Sequence, residues 1–186
     1  MNNITNSLSV LFLVSEIVFL ILKRSKSSEV KIRKDKYTML VLWIVISASL
    51  FGGGYIARIY PYAENHLLIQ YAGIAIMVFG FIIRWTAIAQ LGKAFTVDVS
   101  ISKTHKIKDD GLYKLIRHPS YLGMVLIFFG LSLLFGSWYS ILIVNIPTFI
   151  ALSFRIKVEE ELLTSAFGEE YKDYKKRTKR IIPWIY

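Results

Sequence analysis

The sequence contains no cysteine, so neither a disulfide bond nor a thiolate metal site can contribute to the fold. It also lacks the GxSxG motif of serine hydrolases, the HExxH motif of zinc proteases and the phosphate-binding P-loop. The three histidines, His66, His105 and His118, are widely spaced and match no ligand pattern, so we predict no metal site. Any reaction of this chain must therefore proceed without a thiol, and these patterns supply neither a nucleophile nor a metal.

Acidic residues are scarce and apolar residues are abundant. The 186 residues include 23 Lys and Arg against 13 Asp and Glu, the formal net charge is +10, and 54% of the residues are hydrophobic. A soluble domain of this size cannot bury so much apolar surface, so we predict a membrane protein with its basic residues in the loops. A nucleic-acid-binding protein would also be basic, but an orienting, lipid-facing surface explains the charge, and we predict no nucleic-acid partner.

Five apolar stretches interrupt the polar sequence. A helix needs roughly 17 to 20 apolar residues to cross the hydrocarbon core of a bilayer, and the first three stretches reach that length. The fourth and fifth are shorter and only Gly136 and Ser137 separate them, so we predict a helical hairpin there. The sequence thus predicts an all-α integral membrane bundle of five transmembrane helices in a single domain, residues 1–186. The helices are placed at about 4–22, 39–56, 67–90, 119–135 and 138–160.

The distribution of basic residues predicts the orientation of these helices. Of the 23 Lys and Arg residues, 22 fall in segments 23–36, 84–120 and 155–186, which five crossings would place on one side. By the positive-inside rule that side is cytoplasmic, so the N-terminus is outside and the C-terminus inside. The polar stretch after the third helix is longer than a connection requires. We therefore expect the chemistry in the cytoplasmic regions 92–120 and 155–186.

A polar segment directly before the fourth apolar stretch is the strongest local feature. Pro119 suits the first position of a helix, which places His118 near the N-cap. The amides and positive dipole end of such a helix can bind a carboxylate or a phosphate. The neighbouring side-chain donors are Arg117, His118, Ser120 and Tyr121. An ordinary membrane helix with interfacial polar residues has the same features, and spacing alone does not separate the two interpretations.

A second feature lies at the end of the fifth apolar stretch, where Arg155 and Glu159 are four residues apart. Both side chains would lie on one face of a helix. An ion pair at this spacing stabilises a helix by a few tenths of a kcal/mol, and the spacing alone favours this interpretation. The functional alternative is a cation for an anionic substrate, beside an acid for a cationic or ribose-bearing cofactor.

Several motifs in order along the chain identify a family. They are Gly111-x-Tyr113-x-x-x-Arg117-His118-Pro119-Ser120-Tyr121-x-Gly123, Arg155-x-x-x-Glu159-Glu160, and Phe167-Gly168-Glu169-Glu170-Tyr171-x-x-Tyr174, preceded by Arg84-Trp85 and Leu91-Gly92-x-x-Phe95-Thr96. Together they resemble the motifs of isoprenylcysteine carboxyl methyltransferases, in particular the bacterial and archaeal members. The resemblance covers about residues 84–183, and its superfamily includes phospholipid N-methyltransferase-like proteins.

The resemblance implies a cofactor, S-adenosylmethionine, in a cytoplasm-facing pocket. It implies that a strand-like stretch lines this cofactor and that other residues contact it or hold its amino-acid end. The implied cofactor-binding residues are His105, Lys106, Ile107, Lys108, Tyr113, His118, Pro119, Ser120, Tyr121 and Glu159. Arg155 would meet the substrate, so Arg155 and Glu159 are the implied catalytic pair, with Glu160 as an alternative to Glu159. Asp98 falls where the family has a polar contact, although the usual residue there is Gln.

The implied function is methyl transfer to the carboxylate of an isoprenylcysteine-like or other amphiphilic substrate at the membrane. A carboxylate with a pKa of about 3.5 is already an anion at neutral pH, so the reaction needs no general base. Two alternatives stay open: a methyltransferase for a lipid amine or another small amphiphile, and a non-catalytic binding or scaffold protein of the same fold. The expected partners are a lipophilic substrate, such as a prenylated one, and membrane lipids; the sequence indicates no oligomeric state.

Three further features receive structural interpretations. Glu16, an acid inside the first apolar stretch, is expected to point inward and to be hydrogen-bonded. The glycines at 52–54 are expected to permit close helix packing or a bend. Residues 172–186, which are basic and end in Trp and Tyr, are expected to form a surface segment on anionic lipid.

Overall fold

The structure, a computed structural model, describes residues 30–33, 37–62, 66–92, 100–102 and 107–182. In these ranges the chain forms five α-helices, a short 3₁₀ helix and one small antiparallel sheet. The helices are α1 Thr38–Ile59, α2 Leu67–Leu91, α3 Pro119–Leu134, α4 Trp138–Phe167 and α5 Glu169–Arg177; the strands are β1 Val30–Arg33 and β2 Ser100–Ser102; the 3₁₀ helix is Gly111–Lys114. The helical character predicted from the sequence is confirmed, with the sheet as an addition.

Three helices are long and apolar enough to cross a membrane: α1, α2 and α4. With a rise of 1.5 Å per residue, the 22 residues of α1 extend over about 33 Å. Helix α3 has 16 residues and is shorter. Helix α4 runs beyond the predicted end near residue 160 to Phe167, so its last turns carry the acidic residues. The predicted first helix, residues 4–22, lies outside the described residues, as does Glu16.

Helices α2 and α3 approach each other at pairs of glycines. Gly73 faces Gly130, and Gly80 faces Gly123. A Cβ atom at Gly80 would lie 2.8 Å from the carbonyl oxygen of Gly123, so the two backbones touch and no side chain fits between them. Small residues permit this close contact between helices in a bilayer. We call these four glycines the glycine seam.

Helices α1 and α4 form a second close contact at Gly53. A Cβ atom there would lie 2.6 Å from a methyl carbon of Val144, and the hydroxyl of Ser140 donates a hydrogen bond of 2.7 Å to the Gly53 carbonyl. The close packing expected at the Gly52–Gly54 run thus occurs at its middle residue. A Cβ atom at Gly54 would meet no other atom within 4 Å, so this glycine contributes no such contact.

Apolar side chains from four helices fill the centre of the bundle. The buried set consists of Leu42, Ile46, Met77, Met124, Ile127, Phe128, Leu131, Leu134, Val144 and Leu152. Large apolar residues such as Phe51, Leu68 and Ile150 lie exposed on the outside of the helices. An apolar exterior of this kind is expected where lipid, rather than water, surrounds the helices.

The sheet connects two segments that are far apart in sequence. Strand β1 pairs antiparallel with β2, with Val30 opposite Ser102 and Arg33 opposite Ser100. Two long helices, α1 and α2, separate these strands, so an even number of crossings returns the chain to the same side. This pairing agrees with the prediction that both basic segments lie on one side of the membrane.

The opposite end of the bundle is closed by the turn between α3 and α4. Gly136 has a positive φ of 78°, which a glycine adopts without strain, and it reverses the chain. The backbone amide of Tyr62 donates a hydrogen bond of 2.7 Å to the carbonyl of Gly136. The ring of Tyr62 also packs against His66 and Trp138. Helices α3 and α4 therefore form a hairpin whose tip is joined to the end of the α1–α2 pair.

Candidate functional site

The C-terminal segment, residues 178–182, packs against the start of α3. Lys179 forms a parallel β-bridge with Ile116, and the amides of Arg117 and His118 donate hydrogen bonds to the carbonyls of Lys179 (2.8 Å) and Arg180 (2.9 Å). Ile181 is buried. The expectation that residues 172–186 form a surface segment is therefore incomplete: up to residue 182 the charged side chains are mostly exposed, but backbone hydrogen bonds and apolar burial attach this part to the protein. Residues 183–186 lie outside the described residues.

Helix α5 also turns its aromatic side chains into the protein. Gly168, with a φ of 58°, ends α4 and lets the chain reverse into α5. Tyr171 and Tyr174 of this short helix are both buried, whereas its lysines are mostly exposed. The hydroxyl of Tyr174 donates a hydrogen bond of 2.6 Å to the carbonyl of Tyr113. The family-like motif from Phe167 to Tyr174 thus holds the backbone at Tyr113 in place through Tyr174.

The start of α3 has the geometry expected from the sequence. Pro119 is the first helical residue and His118 is the N-cap, although the imidazole forms no capping hydrogen bond. The His118 side chain is buried, and its ring centroid lies 5.6 Å from that of Tyr121. Its Nε2 atom is 3.4 Å from Glu160 Oε1, but the geometry is not that of a hydrogen bond, and no other described group partners it. A buried imidazole nitrogen at the start of α3 thus has no hydrogen-bond partner among the described residues.

Arg155 and Glu159 meet at the hydroxyl of Tyr121. Nε of Arg155 donates to this hydroxyl (3.0 Å), and the hydroxyl donates to Oε2 of Glu159 (2.8 Å). The other end of the Arg155 guanidinium donates to the hydroxyl of Thr38 (3.0 Å), at the start of α1. The side chain of Arg155 is buried, but that of Glu159 is 31% exposed. The structure therefore brings the predicted pair together through a residue of the predicted helix start.

Glu160 differs from its neighbour Glu159 in its surroundings. It is 5% exposed, and its two carboxylate oxygens accept hydrogen bonds from Nε of Arg117 (2.8 Å) and Nε of Arg180 (3.0 Å). A buried carboxylate is stable only when such partners compensate for the lost water. Glu160 is therefore held by two arginines, whereas Glu159 offers a partly open carboxylate.

Tyr113 is fixed between α2 and α5 by both its ring and its backbone. Its hydroxyl donates to the carbonyl of Ala87 (3.3 Å), and the amide of Leu112 donates to the side-chain oxygen of Gln90 (3.0 Å). Burial, followed by the negative charge of Glu159, raises the pKa of the Tyr113 phenol, so it stays neutral in the physiological range. A neutral phenol at this position is a hydrogen-bond donor.

Arg84 is a site residue for which the sequence motifs imply no role. It is buried in α2, and its guanidinium donates to the hydroxyl of Ser120 (3.0 Å) on the first turn of α3. The available signal was a charged residue inside an apolar helix, which is costly unless the residue is partnered or functional. Ser120, a predicted cofactor contact, is thus oriented by α2.

The loop before the 3₁₀ helix differs from its expected form. Ile107 and Lys108 belong to no strand, and Lys108 forms an ion pair of 2.8 Å with Asp110. Of the strand-like stretch that the resemblance implies at 105–108, the two described residues thus lie in neither strand; strand β2 ends earlier, at Ser102. His105, Lys106 and Asp98 lie outside the described residues. Among the residues that the structure describes, no cluster of three His, Asp or Glu side chains could hold a metal.

Comparison with known proteins identifies relatives of this arrangement. The profile of the isoprenylcysteine carboxyl methyltransferase (ICMT) family matches residues 73–165, half of the chain. Protein-S-isoprenylcysteine O-methyltransferase B of Arabidopsis thaliana is 30% identical over 135 residues, covering 70% of this chain and 68% of the relative. Protein-S-isoprenylcysteine O-methyltransferase of Schizosaccharomyces pombe is 33% identical over 118 residues, covering 62% of this chain and 50% of the relative.

A solved structure also resembles the fold. It is that of the eukaryotic intramembrane Ras methyltransferase ICMT, with a TM-score of 0.63 and 25% identity. The match covers 82% of this chain and 55% of the solved chain, so the present chain spans about half the length of that protein, as it does of the yeast relative. The predicted helical membrane bundle is confirmed by this likeness, and the chain is an integral membrane protein.

Proposed function

Since this chain belongs to the isoprenylcysteine carboxyl methyltransferase family, we propose that it methylates the carboxylate of an isoprenylcysteine-like or other amphiphilic substrate at the membrane. The observation that carries this proposal is the hydrogen-bonded chain from Arg155 through Tyr121 to Glu159. It places a buried cation and a partly exposed carboxylate at the start of α3, where α4 leaves the apolar part of the bundle.

S-Adenosylmethionine is the proposed methyl donor, and it supplies an electrophilic methyl group on a sulfonium centre. The residues present fit its polar parts. The buried Nε2 atom of His118 has no hydrogen-bond partner among the described residues and suits the amino-acid end. The open carboxylate of Glu159 suits an ammonium group or a ribose hydroxyl, and aromatic rings such as Tyr121 attract cations. The proposed contacts, including those implied by the family resemblance, are His105, Lys106, Ile107, Lys108, Tyr113, His118, Pro119, Ser120, Tyr121 and Glu159.

Arg155 is proposed to orient the carboxylate of the substrate. The planar guanidinium matches a carboxylate in shape and in the direction of its donors, which an ammonium group does not. The contacts of Arg155 with Tyr121 and Thr38 fix its orientation before any substrate arrives. Because the substrate carboxylate is already ionised, the task of the protein is positioning rather than proton removal. The lipophilic part of the substrate would enter from the bilayer, between the helices.

Two conservative variants test these roles. Arg155→Lys keeps the charge but loses the planar fork, so we expect turnover on a prenylated-cysteine analogue to fall while affinity for S-adenosylhomocysteine is retained. Glu159→Gln removes a charged acceptor, which costs about 1.5–3 kcal/mol when a hydrogen bond to a charged group is lost. It should weaken S-adenosylhomocysteine binding about tenfold or more. Calorimetry and a methyl-transfer assay measure the two quantities.

Glu170→Gln is the matched control, since Glu170 is an exposed acid on α5. If Arg155→Lys and Glu159→Gln behave alike, with a small loss of stability and no difference between affinity and turnover, the two residues form a structural pair and the proposed roles are wrong. Turnover of an amine acceptor, in place of the carboxylate, would assign the chain to the lipid-amine alternative.

We further propose a single domain over residues 1–186 with five transmembrane helices, an external N-terminus, and a cytoplasmic site and C-terminus. The position of 22 of the 23 basic residues supports this orientation, and the pairing of β1 with β2, which lie in two of the basic segments, agrees with it. Reporter fusions after Tyr186 and at Ala63, between α1 and α2 in the sequence, test it. The C-terminal fusion should report a cytoplasmic location and the loop fusion an external one; the reverse pattern overturns the orientation.

A further inference from the structure

Glu160 lies where three parts of the chain meet. Its Oε1 atom accepts a hydrogen bond from Arg117, which precedes α3, and its Oε2 atom accepts one from Arg180 of the C-terminal segment. Glu160 itself belongs to α4. One buried carboxylate therefore connects α4, the start of α3 and the C-terminal segment.

Arg117 strengthens the same connection from the other direction. Besides Glu160, its guanidinium donates to the backbone carbonyls of Thr178 and Lys175 (3.3 Å for Lys175). Its backbone amide donates to Lys179, next to the β-bridge at Ile116. The C-terminal segment is thus attached to residues 116–118 in two ways: by backbone hydrogen bonds and by the carboxylate of Glu160, which binds both Arg117 and Arg180. Both attachments depend on the position of Arg117.

His118 follows Arg117 directly and shares its surroundings. Its amide donates to the carbonyl of Arg180, and its Nε2 atom lies 3.4 Å from the Glu160 oxygen that Arg117 occupies. The imidazole is therefore confined by Glu160 on one side and by the docked backbone on the other. Release of the C-terminal segment would remove the second restraint directly, and it would leave the Glu160 carboxylate without its hydrogen bond from Arg180.

We propose that Glu160 is a positioning residue that couples docking of the C-terminal segment to the orientation of His118, and through His118 to affinity for the S-adenosyl ligand. Only the last step rests on the proposed function, since docking involves this chain alone. Glu160 acts through its neighbours and does not touch the ligand. Binding and docking are then linked reciprocally: whatever favours one favours the other.

The first experiment measures docking in the ligand-free protein by limited trypsin digestion. The cleavage sites are Lys175, Lys176, Arg177, Lys179 and Arg180. Glu160→Gln keeps all five sites but leaves two arginines without their carboxylate. It should speed cleavage there about tenfold, because proteases cut the transiently released state. Glu170→Gln, on exposed surface, should leave the rate unchanged. Equal rates for Glu160→Gln and the wild type overturn the docking role.

The second experiment measures the link to the ligand. Saturating S-adenosylhomocysteine should slow the cleavage of the wild type several-fold, and Glu160→Gln should weaken its affinity about tenfold, with kcat at saturating cofactor within about twofold of the wild type. A merely structural Glu160 would lower the melting temperature without separating the KM for cofactor from kcat. That result overturns the proposal.

Arg180→Gln distinguishes positioning from direct contact and keeps the test valid if Glu160→Gln fails to fold. The Arg180 side chain is 36% exposed, so its replacement is the milder change, and it leaves the carboxylate of Glu160 in place. The variant removes one trypsin site, so cleavage is compared at the other four; the proposal requires Arg180→Gln to weaken ligand affinity and to speed cleavage at these four sites together. Unchanged affinity in this variant would overturn it. A wild type that binds no S-adenosylhomocysteine would refute the proposed function instead, with the docking result standing separately.

Discussion

Helix α3 is held in opposite ways by the glycine seam and by a charged cluster next to its first residue, Pro119. This cluster consists of Glu160, Arg117 and Arg180. At the seam, Gly80 and Gly123 bring two backbones into contact, and the absence of side chains makes the contact possible. In the cluster, Glu160 and Arg117 are long charged side chains whose mutual hydrogen bonds make burial possible. An added side-chain atom therefore destabilises the seam, whereas the loss of a hydrogen-bond partner destabilises the charged cluster.

The difference follows from the surroundings of each region. Lipid offers no hydrophobic driving force between helices, so association there depends on close van der Waals contact. At the polar end, burial of a charge is costly and is compensated only by specific partners. The seam, which follows α3 from Gly123 to Gly130, and the charged residues next to its first turn are therefore sensitive to different substitutions. The expected losses of stability decrease from the seam to the charged pairs that lie in solvent.

The largest effect is expected at the seam. In Gly80→Ala the new methyl group would lie 2.8 Å from the Gly123 carbonyl oxygen and 2.9 Å from the Ile127 nitrogen, both backbone atoms that cannot rotate away. We expect a loss of about 1–3 kcal/mol in the free energy of unfolding, as is typical of overpacking. Thermal unfolding in detergent measures it.

Gly54→Ala is the matched control, since the same methyl group there meets no atom within 4 Å. Alanine has a higher helix propensity than glycine, so this variant should be as stable as the wild type or slightly more stable. Equal melting temperatures for Gly80→Ala and Gly54→Ala would show that α2 and α3 do not touch at the seam.

A smaller effect is expected from two buried tyrosines on α5. Tyr174→Phe removes the donor to the Tyr113 carbonyl and leaves a buried acceptor behind, at a cost of about 1–2 kcal/mol. The Tyr171 hydroxyl is buried and has no hydrogen-bond partner among the described residues, so Tyr171→Phe should be neutral or stabilising. Chemical denaturation of the two variants compares them directly. A larger loss for Tyr171→Phe than for Tyr174→Phe would contradict this assignment of partners.

Features that depend on local sequence could be predicted. The helix start at Pro119 and the break at Gly136 follow from the backbone chemistry of single residues, and the structure has both at these positions. Long apolar runs likewise located α1 and α2 to within a few residues of their ends. The four-residue spacing of Arg155 and Glu159 placed them on one face of α4, where Tyr121 joins them.

Features that depend on contacts between distant segments could not be predicted from the sequence. The seam pairs Gly80 with Gly123, and the local sequence around either glycine does not indicate which residue it contacts. Similarly, a run of basic residues near the C-terminus is typical of a lipid-facing surface, so the contact of Arg180 with the buried carboxylate of Glu160 was not predicted. The sequence signal that could have shown the docking is the three-residue spacing of Tyr171 and Tyr174, which places two large apolar rings on one face of an otherwise charged helix; both rings are buried.

The smallest effect is expected where a charged pair lies in solvent. Lys176 and Asp173 of α5 form an ion pair of 2.7 Å, yet their side chains are 74% and 68% exposed. The hydrogen bond from Lys176 lowers the pKa of the Asp173 carboxyl. A depressed carboxyl pKa contributes stability above the ordinary pKa, and that contribution is lost as the pH falls through the lowered value. Water and salt screen such a pair, so its net contribution to folding is slight.

Lys176→Gln should therefore leave the melting temperature unchanged within error at neutral pH, while the pKa of Asp173 returns upward toward its ordinary value. Thermal unfolding and NMR titration of the Asp173 carboxyl measure the two quantities. Glu160→Gln provides the contrast, because it removes the carboxylate from a pair of similar length, 2.8 Å to Arg117, whose side chains are 9% and 7% exposed. If Lys176→Gln destabilises the protein as much as Glu160→Gln does, ion-pair length rather than burial sets the effect, and the distinction between the two kinds of charged contact is wrong.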